Sequence, residues 1–172
     1  AKLQSLPGAF DVLLLDSCVV RDVASPLRLI QPLQKDGLPN IANLDPAFLN
    51  VEFDPGNEFS VPHALDLLVI AHRKDLIENL ESSWNLFTRA DLQGRTALGN
   101  QTKEIFATSL ALVGKSAANH LATEVETATQ RVIQLRERHG VRFLAKGAIR
   151  EQLLTGEIWA ATCFESEAMK PV

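Results

Sequence analysis

The 172-residue sequence has no tyrosine, a single methionine and two cysteines, Cys18 and Cys163. Two distant cysteines permit one disulfide but do not build a framework. A free cysteine behaves as a small apolar residue, so both are expected as buried thiols. There is no excess of positive charge. The net charge is -4, which removes the electrostatic basis for nucleic-acid binding. No apolar run approaches the length of a membrane span. The longest, Leu65 to Ala71, is interrupted by Asp66 and bounded by His72, Arg73 and Lys74. The opening AKLQSLPGAF lacks the apolar stretch of a secretory signal. A mature exported chain lacks one as well, so compartment is left open.

Catalytic signatures are missing too. There is no Gly-rich phosphate loop, no HExxH, no CxxC and no Gly-x-Ser-x-Gly. His63, His72, His120 and His139 share no metal-like spacing. Cys18 opens a helical stretch, where a thiolate gains from the helix dipole, but no histidine is spaced to pair with it. The residues point away from an enzyme and call for no cofactor.

What is present is an ordinary globular composition, 46% apolar and 22% charged. Phe10 to Leu15 is a short continuous apolar run and reads as a buried parallel strand covered on both faces. Asp16-Ser17 then caps a helix from Cys18 to Ala24, stopped by Pro26. Leu29 to Leu33 reads as an extended, edge-like piece, since Pro32 cannot donate to a ladder. Between Asn43 and His63 lies NLDPAFLNVEFDPGNEFSVPH, a long connection with two Asp-Pro pairs. Asp45-Pro46 predicts an N-cap with proline in the first turn, and Asp54-Pro55-Gly56-Asn57 a turn. Leu65 to Ala71 reads as a strand. Ser82-Ser83 caps a short helix from Trp84 to Phe87, and a brief strand follows within Gly94 to Gly99. Lys103 to Val113 and Ala117 to Arg138 have helical spacing. Val141 to Leu144 is a strand, Ile149 to Leu154 a helix ended by Gly156, and Ile158 to Phe164 a strand. This alternation predicts an α/β fold with a mainly parallel sheet and flanking helices.

Open α/β sheets bind ligands outside the carboxyl ends of their strands. Three stretches fit that rule: Asp16-Ser17-Cys18, Asn100 to Glu104, and Phe164-Glu165-Ser166.

The long connection also carries a resemblance. Asn43-Leu44-Asp45-Pro46, Leu49-Asn50, Phe53-Asp54-Pro55-Gly56-Asn57 and Phe59-Ser60-Val61-Pro62 resemble the periplasmic polyamine-binding proteins. These are the spermidine/putrescine receptors of ABC importers, with the type II periplasmic-binding fold. Gly8 to Leu13, Ser83 to Phe87 with Leu92 to Arg95, Lys103 to Phe106 with Leu110, and Gly156-Glu157-Ile158 are similar to further family segments. The similarity covers nearly all of the chain. It implies a partial type II architecture, with 1–64 part of a first lobe and 65–172 a second-lobe-like domain. Family members are roughly twice as long, in keeping with two lobes, so a fragment or a reduced relative is implied.

The resemblance further implies a periplasmic solute-binding protein. Its ligand would be a polyamine or related amine, and its partners the membrane subunits of an ABC transporter. Glu104 matches a family carboxylate for an ammonium group. Gln101 stands where a second acid is expected, Cys18 and His63 where aromatics are expected, and Phe164 where a Trp is. Asp16 and Ser17 match polar cleft positions, and Glu165 follows Phe164 at the same strand end. Open sheet edges invite a homodimer. The alternative is a sensor or interaction module, or a piece of a larger receptor, without family-like polyamine binding.

Overall fold

In the computed structural model, which describes residues 9–81, 83–116 and 122–169, the chain divides into two units, Ala1–Leu65 and Asp66–Val172. Ser82 and the residues 117–121 expected at the start of a long helix lie outside the described residues.

The first unit is built from turns and single helical turns. Helix α1, Ser17–Val19, continues as a π-helical turn over Val20–Ala24. The Asp16 carbonyl accepts from the N–H groups of Val19 and Val20 at 2.9 and 3.1 Å. The expected strand from Phe10 to Leu15 is not formed, and Leu29 to Leu33 pairs with no strand either. The reason is the partner. A buried strand needs a ladder for its backbone groups, and among the described residues of this unit there is no strand. Every second side chain of the run faces solvent, with Val12 89% and Leu14 78% exposed. Cys18, expected to be buried, is exposed at the start of α1.

The proline-punctuated connection is ordered by its own side chains. The Asp45 carboxylate accepts from the Ala47 N–H at 2.8 Å, opening a single 3-10 turn over Pro46–Phe48. Asp54 is buried. Its carboxylate accepts from the N–H groups of Glu58, Phe59 and Ser60 at 2.9, 3.1 and 2.8 Å, and from the Ser60 hydroxyl at 2.6 Å. These bonds close the Pro55–Asn57 turn, where Gly56 takes a φ of 71° that favours glycine.

The second unit holds the sheet. Its strands are β1 (Leu68–His72), β2 (Thr96–Gly99), β3 (Arg142–Leu144) and β4 (Ala160–Phe164), in the spatial order β1-β4-β2-β3. Strand β2 is parallel to β3 and to β4, and β1 is antiparallel to β4. The sheet is therefore mixed, with a parallel centre. Between the strands run α2 (Thr102–Leu112), α3 (Ala122–His139) and α4 (Lys146–Thr155), and α5 (Glu165–Ala168) follows β4. Helix α4 ends where Gly156 takes a φ of 76°, as a left-handed C-cap requires. Arg73 adds a cap by donating to the carbonyls of Leu153 and Leu154 at 2.9 and 3.1 Å.

All four residues of β2 are buried. Alternation sends Leu98 to one face and Ala97 to the other. Leu98 joins a core of Phe87, Leu92, Leu135 and Val141, whereas Ala97 packs with Ile149, Ile158 and Ala161. The short turn over Trp84–Thr88 delivers Leu86 and Phe87 to the first core, its start capped by the Ser83 hydroxyl. Covering both faces of β2 fixes the position of its carboxyl end, where the polar groups gather.

Candidate functional site

Three parallel strands end on one edge of this sheet. Gly99 closes β2, Leu144 closes β3 and Phe164 closes β4. The Asn100 N–H donates to the Leu144 carbonyl at 2.9 Å, and the Gly99 N–H to the Thr162 hydroxyl at 3.0 Å. Since β1 runs the other way, with Leu68 opposite Phe164, its entrance lies on the same edge. There the Asp66 carboxylate accepts from the backbone and hydroxyl of Ser166, which lowers its pKa. That holds the start of α5 to the start of β1.

Glu104 is the central group. It lies in the first turn of α2 and is only 3% exposed. Its Oε2 sits over the α-carbon of Gly99, so a β-carbon there would stand 1.7 Å away. Any larger residue at the end of β2 would displace the Glu104 carboxylate from this place. Its Oε1 is buried without a hydrogen-bond partner among the described residues, and so is the Thr108 hydroxyl one turn further along α2. Burial raises the Glu104 pKa above the usual carboxylate value, while the charges of Lys146 and Lys103 pull it down. A buried carboxylate with an unused oxygen is a group that a ligand cation would satisfy.

Phe164 supplies the apolar surface. The Lys146 ammonium lies 4.6 Å from its ring centroid and that of Lys103 5.9 Å away, both within cation–π range. Gln101 is the N-cap residue of α2, its carbonyl accepting from the N–H groups of Glu104 and Ile105. Glu165 is the exposed first residue of α5. The sequence-selected residues of this unit, Gln101, Glu104, Phe164 and Glu165, thus share one sheet edge.

Those of the first unit are placed differently from expectation. Asp16, Ser17 and Cys18 stand together and exposed at the start of α1, but no strand precedes them. His63 is exposed on a stretch without regular structure near the end of that unit. Cys163 is half-buried beside Phe164, its thiol pKa raised chiefly by burial, and both cysteines are free. Sequence reasoning missed Lys146. The signal was the β3 end, Leu144-Ala145-Lys146, which repeats the strand-to-helix pattern chosen at the other ends.

A shallow depression lies between Asp75, Glu78, Asn79, Arg89 and Asp91. It is off the carboxyl end of β1, the opposite edge of the sheet. Its one guanidinium group is already paired, Arg89 with Asp91, and Asp75 is paired with the neighbouring Arg73. Among the described residues no group of side chains could hold a metal ion, and no helix is long and apolar enough to cross a membrane.

No family model matches the sequence. Individual relatives do. The spermidine/putrescine-binding periplasmic protein of Escherichia coli (strain K12) is 31% identical over 130 residues, 74% of this chain and 37% of that protein. The putrescine/cadaverine-binding protein of Pseudomonas aeruginosa is 26% identical over 174 aligned residues, covering 97% of this chain and 48% of its own length. The chain thus spans less than half the length of the curated relatives it matches. Among solved structures, the spermidine/putrescine ABC transporter substrate-binding protein of Streptococcus pneumoniae superposes with a TM-score of 0.71 at 21% identity, over 84% of this chain and 44% of that one. By fold and by sequence, the chain is a homologue of part of the polyamine-binding periplasmic proteins of ABC importers.

Proposed function

We propose that the chain is a non-catalytic solute-binding protein of the polyamine-receptor type, working in the periplasm with the membrane subunits of an ABC importer. It takes a small amine-bearing solute. Residues 1–64 serve as part of a first lobe and 65–172 as a second-lobe-like domain. Glu104 pairs with the ammonium group, Phe164 packs on the apolar stem, and Gln101 and Glu165 supply polar contacts. Asp16, Ser17, Cys18 and His63 are the groups the first lobe offers a ligand. A homodimer joined through an open sheet edge, β1 or β3, belongs to the same proposal.

The observation that carries this reading is the buried Glu104 with its unpartnered Oε1 at the carboxyl end of β2. An ammonium group there gives the unpartnered oxygen a charge-assisted bond. Thermal melts of the chain against putrescine, spermidine, ω-amino acids and α-amino acids test it. A ligand bound by the folded state adds about 2.7 kcal/mol at a hundredfold excess over Kd. A dose-dependent rise in midpoint with an amine, lost in Glu104→Gln, is the expected result. A cooperative melt unmoved by every amine contradicts the proposal.

A further inference from the structure

An amine that reaches this edge finds a cation already there. The Lys146 ammonium lies 4.6 Å from the centroid of Phe164, inside cation–π range, and Lys103 stands near its margin at 5.9 Å. The same ring is the surface proposed to pack on a ligand's stem. Lys146 also acts on the carboxylates around it. The Glu104 pKa is raised by burial and drawn back by the Lys146 charge. That of Asp66 is lowered mainly by its bond from Ser166 and further by Lys146. One ring and two carboxylates of this edge therefore already share a cation of the protein's own.

Nothing in helix α4 accounts for that placement. Lys146 is its first residue, no acidic side chain stands in its first turn, and a cation there opposes the backbone dipole. The surroundings do account for it. Glu104, Asp66, Glu165 and Glu167 outnumber the two lysines at this edge, so a cation is drawn to it. Yet Lys146 does not complete the site, because Glu104 Oε1 stays buried without a hydrogen-bond partner among the described residues. Lys146 is also exposed. Its flexible four-carbon stem can turn out into water without disturbing the core.

From this we infer that Lys146 is a built-in competitor for the amine site. In the unliganded protein its ammonium holds the ring of Phe164, and an arriving amine bonds Glu104 and displaces it from the ring. Lys146 thereby keeps amine affinity below what Glu104 and Phe164 would give alone. The inference rests on the proposed receptor function and adds the residue that tunes it.

Titration calorimetry of the full chain with putrescine tests it, comparing wild type with Lys146→Gln, Lys146→Arg and Lys74→Gln. Lys74 is exposed beyond the carboxyl end of β1, on the opposite edge of the sheet, and its loss changes the net charge by the same amount. At about 0.15 M salt, charges more than about 8 Å apart are largely screened. Lys146→Gln should bind putrescine about threefold or more tighter, since no cation–π contact has to be given up and a like charge is gone. Lys146→Arg keeps a cation for the ring and should bind no tighter than wild type. Lys74→Gln should leave the affinity unchanged. A smaller gain in Lys146→Gln, or an equal gain in Lys146→Arg or Lys74→Gln, overturns the inference, while measurable putrescine binding keeps the receptor reading. Putrescine bound by none of the four chains overturns this inference, and taken with melts unmoved by every amine it removes the receptor reading as well.

Discussion

Glu104 lies against Gly99 with one carboxylate oxygen unused, and its pKa is raised by burial. A group whose folded pKa exceeds its unfolded one favours the fold while protonated. That stability is fully present below the model-peptide value of 4.5 and is lost as the pH climbs through the raised value. Above that raised value the unliganded protein carries a buried charge that opposes its own folding. Glu104→Gln should melt higher than wild type at pH 7, with the gap closing below about pH 4.5, as differential scanning calorimetry across that range would show. A variant melting lower than wild type at pH 7 would mean that Glu104 is held by partners inside the fold. Retention of such a residue fits a site in which stability is given up for binding.

At the scale of elements, the two units obey different rules. Strands β2 and β4 formed where expected because their local pattern agrees with what surrounds them. Thr96 to Gly99 is buried on both faces between cores that other segments supply. Phe10 to Leu15 carries a similarly apolar pattern and forms no strand, because a strand is a property of a pair. The connection from Asn43 to His63 was legible through its Asp-Pro signals, but the weight carried by Asp54 was not. Nothing in an Asp-Pro-Gly-Asn turn says that the carboxylate reaches three backbone N–H groups beyond it. Asp54→Ala would leave those donors without their acceptor, a loss of about 2–3 kcal/mol locally. Hydrogen exchange at residues 58–60 should accelerate by more than tenfold, and unchanged protection there would show that the segment is held by packing alone.

At the scale of the whole molecule, the sequence pattern located the carboxyl edge of the sheet but not its charge. Glu104, Gln101 and Phe164 were legible as the polar and aromatic residues at strand ends. Lys103 fell inside the Asn100 to Glu104 stretch without being singled out, and Lys146 fell outside all three stretches, because a lysine opening a helix is ordinarily a solvated side chain. Only the fold brings both to one aromatic ring. The relatives span more than twice the aligned length, and the proposed ligand-binding role rests on what the second unit displays. Hydrogen–deuterium exchange with and without a saturating amine ligand tests that most directly. The account predicts slowed exchange at residues 99–106 and 144–148. Protection confined to other segments, or none under conditions that shift the melting temperature, would contradict the placement of the site at this edge.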